Sequence, residues 1–259
     1  MLISQVIEKI ETELPLELQD DWDNSGLQLG DTNQELRGIF LCVDVTTEVI
    51  SQALAANANL IIAHHPLLFS PTKQIDYRDF KSKKMMDAIK NDLVIYAIHT
   101  NVDVHIHGLN AYVLEEMGFK NLGKLMPTLA PHGYGNLSEL SSMRLAELID
   151  EIKDKLDLDH VIYYGDKESK IDRLALVTGS GMDFLQACLA EKVDLLITAD
   201  IKHHEAMDAL EQGLMLIDLG HYESEKFFNQ YMYYLLNTMK ITDSLYIEKP
   251  QKIYARKIG

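Results

Sequence analysis

Apolar runs of four to six residues recur along the 259-residue chain, separated by stretches whose apolar positions fall three and four apart. The runs read as buried strands and the stretches as helices. Near the N-terminus, Ile3, Val6, Ile7, Ile10 and Leu14 form a helical stripe. After it, GIFLCVD (38–44) predicts a strand, TEVISQALAANA (47–58) a helix and NLIIAHH (59–65) the next strand. A helix over 77–92 and a strand over 93–100 complete a βαβαβ order. That order predicts a parallel or mostly parallel sheet with helices packed on it.

The second half repeats the scheme. Strands are predicted over 173–179, 194–200 and 214–221, with helices over 182–193 and 203–213 between them. SQALAANANLIIA in the first half rhymes with LQACLAEKVDLLITA in the second, about 135 residues on. The fold class read from this is α/β: two similar α/β domains from an internal duplication, with mostly parallel sheets and flanking helices. The halves are placed at 1–125 and 126–259. Pro127, Pro131, Gly133 and Gly135 mark 121–140 as the connector. The tail after 242 reads as a strand or two, for which the sheet of either half, the first included, offers a place.

Composition narrows the function. Forty acidic residues against 24 basic ones give a formal charge of −16. Nucleic-acid and anionic-membrane surfaces call for basic patches, so neither is the expected partner. The local run KSKK (81–84) reads as a solvated helix face. Cys42 and Cys188 lie inside predicted apolar elements with no CxxC spacing, which fits reduced core thiols in a cytoplasmic protein. The N-terminal segment lacks the basic and long apolar regions of a signal peptide. No apolar run approaches the ~20 residues of a membrane span.

The unusual residues stand where the predicted strands end. Ligands in α/β sheets gather beyond the carboxyl ends of strands. His64 and His65 follow the second strand, and His99, Thr100, Asn101 and Asp103 follow the third. His221 and Glu225 follow the corresponding strand of the second half, four apart at the start of a predicted helix and so on one face. Singly these are unremarkable: a His pair is more often surface or core, and HTNVD makes an ordinary capped turn. Jointly, three histidines and two carboxylates at three strand ends read as a metal site. They exceed what one open catalytic zinc takes and suit two ions with a bridging carboxylate. Imidazole and carboxylate donors without thiolate admit Zn, Fe, Mn, Co or Ni.

IIAHHP, HTNVD and GHYESE, together with WDNSGLQLG (22–30), resemble the motifs of the Nif-three-like family of dinuclear-metal-centre hexameric proteins. Members are commonly labelled GTP cyclohydrolase 1 type 2 homologues. The resemblance spans nearly the whole chain. It implies that His64, His221 and Glu225 hold one ion, and that His65 and Asp103 hold the other with Glu225 shared. It also implies a toroidal homo-hexamer with the metal sites facing an interior cavity. The chain is too short for the inserted domain that some members carry.

Two stretches depart from that pattern: VHIHG brings His105 and His107, and ITADIKHHEA brings Asp200, His203 and His204. The latter stands at the place of His64-His65 in the second half. Trp22, Asp23, Asn24 and Gly26 are read as a tight turn that anchors the N-terminal helix, in preference to a substrate contact.

The leading functional expectation is a hydrolase dependent on two divalent ions, acting on a small-molecule substrate, by the family label a purine nucleotide such as GTP. His99 is the expected general acid or base. The alternative is a metal-loaded hexameric scaffold or interaction protein without turnover.

Overall fold

The computed structural model describes residues 1–242 and 244–249. In chain order the elements are α1 (Ile3–Glu13), β1 (Gly26–Leu29), β2 (Ile39–Cys42), α2 (Thr47–Ala55), β3 (Leu60–Ala63), α3 (Phe80–Lys90), β4 (Val94–Ala97), α4 (Thr100–Val104) and α5 (Leu109–Glu116). There follow β5 (Gly123–Pro127), β6 (Gly133–Arg144), α6 (Leu145–Lys155), β7 (Ile162–Tyr164), β8 (Lys170–Ser180), α7 (Leu185–Ala190), β9 (Leu195–Ala199), α8 (His203–Glu211), β10 (Met215–Asp218), α9 (His221–Glu225), α10 (Phe228–Thr238) and β11 (Leu245–Ile247).

The chain forms two compact units. The first comprises Met1–Leu16, Asp21–His99 and the described residues from Phe228 onward; the second comprises Glu17–Asp20 and Thr100–Phe227. The fold class is α/β, as the alternation of patterns predicts. The division by contact differs from the expected break at 125/126, which falls inside β5. Hydrogen bonding explains the difference, because β5 pairs antiparallel with β6 along Gly123–Pro127 and so belongs to the second sheet. The stretch 121–140, expected as a connector, is for the most part this pair, closed by a turn in which the Thr128 N–H donates to His132 O. Its prolines and glycines mark a hairpin turn and not a linker.

In the first unit the sheet order is β1-β4-β3-β2-β11. Strands β4, β3, β2 and β11 run parallel, and β1 is antiparallel at one edge. Every residue of β2, β3 and β4 is buried. This is why these segments read as unbroken apolar runs: a parallel strand covered on both faces has no polar side. One face packs Phe40, Ile61 and Ile95 with Val49, Ala53, Met85 and Ala88 of α2 and α3. The stripe on α1 buries Ile3, Val6 and Ile10, followed by Leu14. Thr46 caps α2 by accepting from the Val49 N–H, and Asp79 caps α3 by accepting from the Ser82 N–H. On α3, Lys84 is half-buried and donates to Val45 O at 2.7 Å, so the KSKK run is a solvated face only in part. The tail returns to this unit as β11 against β2; a second tail strand would fall outside the described residues.

The second unit's sheet has the order β5-β6-β8-β9-β10-β7. Strands β8, β9 and β10 are parallel. The pairs β5–β6, β6–β8 and β10–β7 are antiparallel, so this sheet is mixed where a mostly parallel one was expected. The parallel triplets β2-β3-β4 and β8-β9-β10 share the same helix-linked connectivity, the trace a duplication would leave.

Candidate metal centre

In the first unit, the ladder that holds β3 continues past its end. The His64 N–H donates to Cys42 O at 3.1 Å, and the His65 N–H to Val43 O at 2.9 Å. The two histidines are thereby fixed as an extension of the sheet. His64 is completely buried. Its Nδ1 lies 2.9 Å from the carbonyl of Ile98. A carbonyl only accepts, so Nδ1 carries the proton and Nε2 presents a lone pair. His65 Nδ1 lies 2.9 Å from Asp44 Oδ1, and His99 Nδ1 lies 2.7 Å from Asp23 Oδ1. Carboxylates impose the same tautomer. Three imidazoles are thus each held from behind at Nδ1, with ring nitrogens of all three within 4.8 Å of one another. This is the arrangement in which an outer acceptor orients a metal-binding imidazole and raises its basicity.

In the second unit, α9 opens on Gly220, at φ +85°, directly before His221. His221 and Glu225 sit one turn apart, with Nε2 and Oε2 separated by 3.1 Å. His221 Nδ1 lies 2.6 Å from Asp200 Oδ2, repeating the anchoring seen in the first unit. Glu225 is nearly buried, at 4% exposure. The end of β8 makes room for it: a Cβ on Gly179 would stand 2.3 Å from Glu225 Oε1. The Gly179 N–H donates to the Ser224 hydroxyl, which donates in turn to His221 O, tying α9 to β8. The Glu225 carboxylate, with Asp200 adding to it against the effect of burial, pushes the His221 pKa up to about 9. Without a metal His221 is a cation at neutral pH, and a divalent ion would take the place of that proton.

Asp103, expected as a ligand, lies on α4 and joins no set of three donors within either unit among the described residues. Its charged neighbour is Lys124, whose pKa burial brings down to about 8 while Asp103 opposes the shift. His99, expected as acid or base, stands in the imidazole group itself. His105 and His132 are built the other way round from the donors, and His107 contributes its backbone N–H. His105 Nδ1 accepts from the His107 N–H at 3.2 Å, and His132 Nδ1 accepts from the Ile106 N–H at 3.1 Å. Their protons are therefore on Nε2, which stiffens a loop and offers no lone pair there. Burial, helped by His132, His107 and Lys124, takes the His105 pKa down to about 4. His203 and His204 are exposed on the first turn of α8. Cys42 and Cys188 are both buried free thiols.

Three acidic residues do what the sequence did not reveal. Asp23 was read as part of a turn and Asp44 as a strand end, while Asp200 stood only as part of a stretch at the place of His64-His65 in the second half. Each holds an imidazole. For Asp44 and Asp200 a signal existed, since both close a predicted strand, as the histidines do. Trp22 is 59% exposed, and its ring lies against Phe69 and His99.

The family described as Duf34/NIF3 (NGG1p interacting factor 3) matches residues 1–249. The chain belongs to the Duf34/NIF3 family. Relatives agree: a Clostridium perfringens protein named GTP cyclohydrolase 1 type 2 homolog is 38% identical over 229 residues, 87% of each chain. Its Clostridium acetobutylicum namesake is 35% identical over 220 residues, 83% of this chain and 82% of that one. Among solved structures, a hypothetical protein of Staphylococcus aureus superposes with a TM-score of 0.88 at 26% identity, covering 96% of this chain and 97% of its own. Reduced HcgD from Methanocaldococcus jannaschii superposes with a TM-score of 0.81 at 28% identity, covering 95% and 96%. The Duf34/NIF3 fold is thus that of the whole described chain. Among the described residues, no helix is long and apolar enough to cross a membrane.

Proposed function

We propose that this Duf34/NIF3 protein is a hydrolase dependent on two divalent ions, with His64, His65, Asp103, His221 and Glu225 as ligands. The observation that carries the metal reading is the common tautomer of His64, His65 and His99 within 4.8 Å. Core histidines satisfied for packing alone have no reason to share one tautomer with a ring nitrogen of each so close to the others. The room that Gly179 leaves for Glu225 supports the same reading in the second unit. That both donor sets serve one pair of ions, with Glu225 shared, rests on the motif resemblance.

Divalent ions, when bound, supply positive charge that makes water acidic enough to attack near neutral pH. The chain's own residues do the rest. His64 and His65 are donors preset by Ile98 O and Asp44, so little ordering is left to binding. His99 accepts the proton of the attacking water at Nε2, and buried Asp23 stabilises the imidazolium that forms. The relatives' name points to a purine nucleotide, with water attacking the imidazole carbon of the base. In so acidic a chain, a phosphate-bearing substrate depends on the ions for its approach. Assembly as a toroidal homo-hexamer belongs to the same proposal.

The test is release of formate or phosphate from GTP, and from a nucleotide and phosphoester panel, by protein whose two ions are verified by elemental analysis. Turnover supports the hydrolase. No turnover by the doubly loaded protein removes it and leaves a metal-binding scaffold. Light scattering at about six times the 29.4 kDa chain mass checks the ring.

A further inference from the structure

Trp22 and Phe69 present large apolar rings to solvent, at 59% and 53% exposure. The two ring centroids are 5.9 Å apart. Both rings also lie against His99, with centroids 6.0 and 6.3 Å from its imidazole. Together they line a cavity of about 870 Å³ in the first unit, shared with Asn24, Thr72, Lys73 and Gln74. That volume is of the size that encloses small organic ligands, roughly 300–1,000 Å³.

The loops that carry the rings are held by polar contacts. The Asn24 side-chain amide donates to Leu68 O at 2.9 Å, and Gln28 Oε1 accepts from the Leu68 N–H at 3.0 Å. Gln28 itself is 6% exposed and donates to Asn24 O at 2.6 Å. The loop carrying Trp22 is thereby clamped to the loop carrying Phe69. Buried Asp23 adds to the clamp, accepting from the Asn24 N–H and the Ser25 hydroxyl while holding His99. A pair of exposed aromatics fixed by such a network is a prepared surface, and it adjoins the imidazole group.

We infer that Trp22 and Phe69 form a subsite that binds a planar heteroaromatic ring beside His99. Stacking suits a flat π-system better than an aliphatic chain, and the hydroxyl of Thr72 and the amide of Gln74 offer hydrogen bonds to ring-edge nitrogens and oxygens. Lys73 is the cation on the wall for an anionic substituent. The inference names the substrate class of the proposed hydrolase and rests on that reading for its function. The ring subsite itself lies wholly in the first unit and needs no metal.

Trp22 is the single tryptophan of the chain, so its indole N–H gives one assignable resonance. The metal-free full-length protein is titrated with guanosine 5′-monophosphate, uridine 5′-monophosphate and ribose 5-phosphate, and the indole resonance is followed. Saturable shifts with both nucleotides but not with the sugar phosphate are expected. Phe69→Ala should weaken nucleotide binding about tenfold, the scale of one stacking partner. Its ring is half exposed, so truncation opens no core, and thermal melting and metal content should match the parent. An indole that stays still at millimolar nucleotide, or that moves equally with ribose 5-phosphate, overturns the inference. An indole that shifts with protein concentration alone overturns it too, assigning the rings to contact between copies. Ring binding in a protein that takes up no metal would leave the subsite standing while the metal reading fell.

Discussion

Asp23 and His99, 76 residues apart in the chain, are joined by a 2.7 Å hydrogen bond from Nδ1 to a carboxylate with no exposed side-chain surface. The pair fixes the proton on Nδ1 and leaves Nε2 basic. Asn at 23 keeps the shape but can offer its own N–H to Nδ1, moving the ring proton to Nε2. In Asp23→Asn, turnover should fall by roughly a thousandfold or more, as in other carboxylate-oriented imidazoles, with both ions still bound. Unchanged turnover at full metal content would remove His99 from proton transfer.

Asp44 and Asp200 act one layer out. Asp44→Asn and Asp200→Asn should each lower metal affinity on the order of 10- to 100-fold without emptying the site at saturating metal. Competition against a chromophoric chelator measures this. Parent-like affinity in both would show that the two contacts are incidental.

Ligand substitutions separate the ions. If Glu225 bridges the ions as proposed, Glu225→Gln should reduce the occupancy of both, while His65→Ala should empty mainly one. Metal per chain, read by elemental analysis, decides it; equal content in Glu225→Gln and the parent would refute the bridging role.

Gly179 combines a φ of +63° with the closest approach to Glu225. Gly179→Ala meets strain at both, so stability should drop by roughly 1–3 kcal/mol. Metal binding should weaken with it, because Glu225 Oε1 must move. A parent-like melting temperature with full occupancy would mean that β8 yields there.

The buried thiols set a pH limit. Burial pushes the Cys188 pKa up to about 12, and Cys42, desolvated and facing Glu248 and Asp44, also lies well above its ordinary value. Unfolding restores an ordinary pKa near 8.5. The unfolded chain therefore releases these protons first as pH rises, and native stability declines from about pH 9 toward 12. At pH 8 native protein should resist iodoacetamide at both cysteines, while unfolded protein reacts at both. Rapid native labelling at pH 8 would contradict the burial.

The apolar pattern alone determined much of this protein. Strands β2, β3, β4 and β9 were legible because each is buried throughout and reads as an apolar run, and β8 and β10 were legible from their buried apolar centres. The His221–Glu225 pair was legible because a helical turn brings residues four apart together, whatever surrounds it. The placement of His64, His65 and His99 after strands was likewise a local fact. Tertiary structure alone decided which acid stands behind which imidazole. Asp23 and His99, or Asp44 and His65, meet only because the start of β1 and the ends of β4, β2 and β3 lie at one side of one sheet, and the sequence carries no sign of that pairing. The same holds for β5 and β6, whose prolines and glycines suit a linker and a hairpin equally. Local propensity fixes where a chain turns; only the hydrogen bonds of the assembled sheet fix which strand it turns to meet.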